Sequence, residues 1–354
     1  MKVLFIVPYP LGKAPSQRFR FEQYFGILEK AGITYEVKPF LSESIWGILY
    51  LPGRFMRKGM AILGGLLRRF FLLFRLSKYD YLFIHREATP IGPPFFEFIA
   101  AKILRKKIIY DFDDAIWIPN YSEANSLFSI LKGYPNVKFI CRWAYKVSCG
   151  NEYLCNYALQ YNTRVFYNPT TIDTQHLHNQ VKDQNTSKVV IGWTGSHSTI
   201  RYMEEVIPIL AELEQKYDFE FLVISDLKPE YTLKSLRYIK WNKSTEINDL
   251  LRMNIGIMPL RDDKWAQGKC GFKALQYMAL GIPAIVSPVG VNTRIVDDNV
   301  NGFICAESKQ WKAAIEKLLA HPEERFRLAL NTRKKIEEAY SVSSNTDNFI
   351  RLFS

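Results

Sequence analysis

Lys269 and Lys273 stand four residues apart in the stretch GKCGFKALQ, and Gln276 follows three residues later. On a helix those spacings put all three on one face. The first amides of a helix have no intrahelical partner and carry the positive end of its dipole. Two ammonium groups beside such amides suit a diphosphate, and a carboxamide one turn further in suits a hydroxylated ring. Gly268, Cys270, Gly271 and Phe272 complete the loop, whose small residues let a ligand approach the backbone.

The elements that must hold these groups lie within Asn254–Gly290. Apolar runs bounded by Gly and Pro predict buried parallel strands at Ile255–Pro259 and Ala284–Ser287. Between them the sequence predicts a polar loop and one helix over Gly271–Leu280. Gly281 and Pro283 give that helix its stop signal.

The motif GKCGFK-x-x-QYM-A-x-G-x-P resembles the signature of family 4 glycosyltransferases, in a bacterial subgroup that carries this loop. The family usually has two glutamates eight positions apart, where this chain has Gly268 and Gln276; it keeps Gly271, Met278, Ala279, Gly281 and Pro283. The likeness covers most of the chain. It implies an α/β fold of GT-B type, two Rossmann-like domains facing across a cleft, with retaining, metal-independent transfer and no cofactor. Residues 1–168 would form the acceptor domain and 186–339 the nucleotide-sugar donor domain. A C-terminal helix within 340–354 would cross back to the first domain. Lys269 and Lys273 would stabilise the departing diphosphate, and Gln276 would hold the ribose.

A second helix start is predicted after a strand ending at Gly192. There WTGSHST turns into a helix over about Thr199–Leu213, and Thr194, Gly195, Ser196 and Ser198 offer hydroxyls and backbone donors. The resemblance implies an Arg and a Lys near here. Only Arg201 is close, which shifts the phosphate charge balance toward Lys269 and Lys273. Trp241, beyond the strand Tyr238–Lys240, would lie near the base by the same resemblance. Stacking and structural burial are both open to it.

The N-terminal half opens with strand KVLFIV (2–7), a helix over Ser16–Ala31 and strand Thr34–Lys38, without a GxGxxG fingerprint. Arg18 and Arg20 at that helix start oppose the dipole unless an anion binds. They read as surface arginines, or, because the SxRxR pattern resembles the subgroup's N-domain loop, as residues of the acceptor cleft. In DFDDAIW, Asp111, Asp113 and Asp114 crowd a strand end. A lone cluster is weak evidence for a metal, and one of the three suits a turn cap. The resemblance places Asp113 and Asp114 at a His-Asp position facing the cleft, with Asp113 touching the sugar or the acceptor hydroxyl. His85 and Glu87 stay undecided. The polar stretch 168–187 reads as a linker, with His176 and His178 solvated.

At 354 residues, 48% hydrophobic and 23% charged, the chain is a folded protein of two ordinary domains. Five cysteines without CxxC spacing read as free thiols of a reducing cytoplasm. The start MKVLFIVPYP lacks a cleavage site and is not expected to be a signal peptide. Net charge +12 calls for an anionic partner. Residues 44–79 contain no acid but have seven Lys or Arg among large apolar residues. That pattern suits an anionic lipid interface, while Arg68 and Arg69 break the run well short of a membrane span. The alternative is a helix packed on its own domain with solvated arginines.

The expected protein is thus peripheral on the inner face of the plasma membrane. It would move sugar from a nucleotide-diphosphate sugar to a lipid-linked or saccharide acceptor in cell-surface polysaccharide synthesis. Two other classes compete. A non-catalytic sugar-nucleotide-binding protein would share every donor feature. A nucleic-acid-binding protein would explain the charge, but no recognised module for it is visible.

Overall fold

The computed structural model describes residues 1–48, 53–119 and 133–354. The chain divides into two compact units, Met1–Thr170 with Thr346–Ser354, and Thr171–Asn345.

In the first unit, β1 (Lys2–Val7), β2 (Thr34–Pro39), β3 (Tyr81–His85), β4 (Lys107–Phe112), β5 (Lys146–Cys149) and β6 (Val165–Tyr167) form one sheet ordered β2-β1-β3-β4-β5-β6. Every pairing is parallel. The central strands β1, β3 and β4 are buried along nearly their whole length, with the apolar runs VLFIV, YLFI and IIY, because helices cover both faces. Strand order reverses at β1, so the topological switch point lies between β1 and β3. The C-terminal segment completes the core: Phe349 stacks on Tyr24 at 4.2 Å, Phe353 packs near Phe5 and Phe83, and Lys146 Nζ donates to the carbonyls of Arg351 and Ser354.

The predicted helix over Ser16–Ala31 is broken into Pro15–Arg18, a 3-10 turn at Glu22–Tyr24, and Phe25–Lys30. Residues 17–21 are all buried, which no single helix face allows. The chain kinks, with Phe21 at φ -141°, and Arg20 and Phe21 both turn inward.

In the second unit, β7 (Val189–Gly195), β8 (Phe219–Ser225), β9 (Leu236–Lys240), β10 (Ile255–Met258), β11 (Ala284–Val286) and β12 (Gly302–Ile304) form a sheet ordered β12-β11-β10-β7-β8-β9. It too is parallel throughout. From the far edge this is the doubly wound order 3-2-1-4-5-6, with its switch point between β7 and β10. Strand β7 runs three residues past the predicted end at Gly192, because Trp193 joins the apolar core and Thr194 and Gly195 pair with Ile224 and Ser225.

The predicted linker is not a solvated tether beyond Thr170. Gln184 is buried and donates to the carbonyls of Asn254 and Gly281, and Lys182 donates its amide to Leu280. His176 is exposed as expected, but His178 is fully buried. Arg333 fastens this stretch, donating to the carbonyls of Thr174, His178 and Ala279.

Candidate functional site

The carboxyl end of β7 and the helix Phe272–Ala279 are held together by two glycines and a tyrosine. The Tyr277 hydroxyl accepts the Thr194 amide hydrogen at 2.9 Å. Its ring crosses β10 at Gly256, where a Cβ would come within 2.3 Å of the ring. At Gly195 a Cβ would meet Trp193 at 2.5 Å and Lys273 Cε at 2.9 Å. Glycine there lets Lys273 lie against the strand end, its Nζ 5.4 Å from the Trp193 ring centroid. The two helix starts marked in the sequence therefore converge at the switch point of this sheet.

The helix start follows the expected chemistry. Gly271 is its N-cap at φ 67°, and a Cβ there would strike Ile295 Cδ1 at 2.2 Å. Only glycine combines that left-handed backbone with that contact. The first intrahelical bond runs from Leu275 N–H to the Gly271 carbonyl, so the Lys273 and Ala274 amides lie in the open first turn. Burial, reinforced by the charge of Lys269, pulls the Lys273 ammonium down to about 7. Such a cation is under-solvated until an anion joins it.

Lys269 is not on the helix with Lys273 and Gln276. The polar stretch before it forms a short helix of its own, Lys264–Gln267, whose start is capped by Asp263 accepting the Trp265 and Ala266 amides at 2.9 and 2.7 Å. Gly268 ends that helix, and Lys269 follows in the connecting loop, its Nζ 3.5 Å from the Trp265 ring centroid. Lys269 reaches the site by through-space charge on Lys273, not by helical register. Cys270 is buried, and Phe272 is half-buried. Gln276 is 2% exposed, and its Nε2 has no hydrogen-bond partner. A buried amide donor left this way costs about 1–3 kcal/mol, and a polar ligand group would satisfy it.

The second helix start, His197–Ile200, is partly occupied by the protein itself. Asp226 accepts the His197 amide at 2.7 Å and contacts its ring Nδ1 at 2.5 Å. Ser196 Oγ and Ser198 Oγ share a hydrogen bond of 2.8 Å. Arg201 is exposed, with its guanidinium over Tyr202. This start supplies hydroxyls, and a carboxylate already caps its leading amide. Trp241 is half-buried beyond β9, donating its amide to Ser225 O and its indole N–H to Glu246 Oε1 at 3.3 Å.

In the first unit the three aspartates part company. Asp111 is fully buried at the end of β4, where Arg20, His85 Nδ1 and Ser148 Oγ all contact its carboxylate. Burial alone would raise its pKa, but Arg20 and His85 outweigh it and hold the carboxylate well below its ordinary range. Arg20 is thus a core residue, its guanidinium spent on Asp111 and the Asn168 carbonyl, and not a surface or cleft cation. Arg18 is also buried, over the Phe19 ring. Asp114 accepts the neighbouring Ala115 amide at 3.1 Å.

Asp113 pairs with Arg86, whose Nε and terminal amine donate to Oδ1 at 2.9 and 2.8 Å. Burial opposes the Arg86 charge, but Asp113 and then Asp114 more than offset it and raise its pKa. Arg86 sits at φ 61°, an unusual backbone for arginine, where its N–H donates a hydrogen bond to the Asp111 carbonyl at 2.7 Å. Arg86, between His85 and Glu87 in the HRE loop, is not among the residues expected from the sequence. Its signal was a lone cation beside a carboxylate-rich strand end. Among the described residues, no three His, Cys, Asp or Glu side chains gather as a metal site.

Residues 188–321 match the family model described as "Glycosyl transferases group 1". The whole chain superimposes on sucrose-phosphate synthase from Thermosynechococcus elongatus with TM-score 0.68 at 11% identity, covering 99% of this chain and 98% of that one. It does so on a glycosyltransferase from Rickettsia africae with TM-score 0.69 at 11% identity, covering 99% and 97%. A third match is Anabaena Alr3699/HepE in complex with UDP-glucose, with TM-score 0.62 at 16% identity and 99% of each chain. No curated protein matches the chain. At these identities the structural likeness establishes the fold, which is that of GT-B glycosyltransferases. The match to the group 1 model lies within the second unit and spans the Lys269–Gln276 loop.

Proposed function

We propose that the chain is a retaining glycosyltransferase of the family 4 type. A nucleotide-diphosphate sugar binds the second unit, and the diphosphate leaves as an oxocarbenium-like sugar is attacked on the same face. The observation that carries this reading is the half-buried Lys273 side chain packed against Gly195 at the switch point of the second sheet, with the orphaned Gln276 amide one turn behind it. Lys273 and Lys269 stabilise the leaving group, preorganised so that little rearrangement is needed as charge develops. The Lys273 and Ala274 amides, Gly268, Cys270, Gly271 and Phe272 line the diphosphate seat, and Gln276 meets the ribose. Thr194, Gly195, Ser196 and Arg201 border the seat, and Trp241 lies toward the base. The UDP-glucose held by the Anabaena protein supports this donor class.

The acceptor is placed on the first unit, where Asp113, oriented by Arg86, touches the acceptor hydroxyl or donor sugar, and Asp114 shapes the loop. The chemistry is read as metal-independent, because lysines and amides carry the charge compensation. The acceptor is read as a lipid-linked saccharide of cell-surface polysaccharide assembly, reached from the cytoplasmic face of a membrane. The acid-free segment 44–79 supports that part of the reading. The test is a thermal-shift panel of nucleoside diphosphates followed by transfer and donor-hydrolysis assays. A ligand that binds only the native state raises its stability by mass action. Lys273→Ala should abolish most transfer with the fold intact, whereas near-normal turnover removes that lysine from the mechanism. Binding without transfer or hydrolysis would favour a non-catalytic sugar-nucleotide-binding protein.

A further inference from the structure

The helix Phe55–Leu73 in the first unit is turned inside out. The side facing its own unit carries Gly65, Arg69 and Leu72, all buried. Arg69 is the anchor: its guanidinium donates to the carbonyls of Ala88 at 2.8 Å, Val7 at 3.1 Å and Lys38 at 3.0 Å, and lies over the Phe40 ring. Gly65 allows the helix to sit directly on that ring, since a Cβ there would come within 2.5 Å of it. The opposite side is apolar and bare. Met56, Met60, Leu63, Leu67, Phe70 and Phe74 recur at helical spacing and are exposed, Met56 at 82% and Phe74 at 73%. Arg57 and Arg68, with Arg75 just past the helix end, fall in one row beside this stripe and are exposed. Residues 49–52 of the basic segment lie outside the described residues.

We propose that this outer face inserts into the surface of a lipid bilayer containing anionic lipid, and that insertion of the apolar stripe, more than charge, holds the protein there. The inference rests on the peripheral-membrane part of the reading above. It goes beyond that part by naming the inserting side chains and by giving Arg69 an internal task. A contiguous exposed stripe of this kind marks an interaction surface. A bilayer is the occupant because the stripe is flanked by cations with no acid anywhere in 44–79, the pattern of a helix lying in a headgroup layer. The placement also has a use. Arg69 fixes the helix to the ends of β1 and β2 and to the loop after β3, the same edge of the sheet that carries Arg86 and Asp113. A saccharide on a lipid carrier would then emerge beside those residues.

The experiment is co-sedimentation of the full chain with phosphatidylcholine–phosphatidylglycerol vesicles at low and at 1 M salt. A parallel series uses Phe70→Ser with Phe74→Ser, and another uses Arg57→Gln with Arg75→Gln, since Arg68 also donates to the Phe40 carbonyl at 2.7 Å. Both pairs are exposed, and circular dichroism and nucleoside-diphosphate binding check that the fold and donor site survive. The expected result is binding that persists at high salt and falls at least tenfold in the double serine variant, but only a few-fold in the double glutamine variant. Absence of vesicle binding overturns the inference, as does binding unaffected by the serine pair or abolished by salt alone. So does a lipid-free dimer in sedimentation velocity that the serine pair dissociates, with no vesicle binding. If vesicle binding fails while donor hydrolysis continues, the glycosyltransferase reading stands and only this inference falls.

Discussion

The Tyr277 phenol oxygen accepts the Thr194 amide hydrogen at 2.9 Å, and this bond ties the helix carrying Lys273 and Gln276 to the end of β7. Thr194 is buried there and Tyr277 wholly so. In Tyr277→Phe the ring still fills the space over Gly256, but the Thr194 amide loses its acceptor. Stability to chemical denaturation should fall by about 1–3 kcal/mol. Calorimetric titration with a nucleoside diphosphate should show weaker affinity, because the two loops are no longer held in register.

Lys273 gives a pH signature. Its folded pKa lies at about 7, whereas an unfolded lysine keeps its proton to about 10.4. Between those limits the unfolded chain binds more protons, so this group makes stability rise with pH from about 7 toward 10. Below about 7 its penalty is fully present. An anion reverses the preference: diphosphate affinity should fall as pH rises through 7, and binding above 7 should take up a proton. Titration in buffers of different ionisation enthalpy measures that uptake, and Lys273→Met should abolish it.

Gln276 predicts a trade between stability and binding. Gln276→Leu removes the orphaned Nε2 and should raise stability by about 1 kcal/mol. It should weaken nucleoside-diphosphate binding more than inorganic-diphosphate binding, since the amide is assigned to the ribose. Thermal melts and paired titrations read both effects.

Asp111 and Arg20 form a buried pair, and removing either leaves the other charge without its partner. Asp111→Ala should cost about 3–5 kcal/mol, measured by urea unfolding. The folded pKa of Asp111 is depressed, so its contribution is present above the ordinary carboxylate range and lost as pH falls through and below it. Acid titration of the wild type should show that loss, and the variant should not.

How much of this was legible follows the physics of each group. Gly271 and Gly281 announced the central helix because their positive φ values serve backbone conformations that other residues avoid. The first strand was equally plain in its apolar run. The register of Lys269 was not, because Asp263 caps a four-residue helix too short to show periodicity. The charge run 68–69 could not say which arginine faces inward, since neighbours on a helix differ by about 100° and either face was apolar enough to be the buried one. Arg20 and His178 read as polar groups near water, and Asp111 as one of a carboxylate cluster suited to a turn cap. Their burial depends on partners distant in the chain, such as Ser148 and Asn168, which local patterning does not reveal.

Phe349 and Phe353 seat themselves among Tyr24, Phe5 and Phe83, yet they are encoded after all of Thr171–Asn345. During synthesis the earlier half must therefore wait, with part of its aromatic centre open, until the later half has been made. Ribosome-bound chains halted before Thr346 should show the second sheet protected from protease while the first is still cleaved.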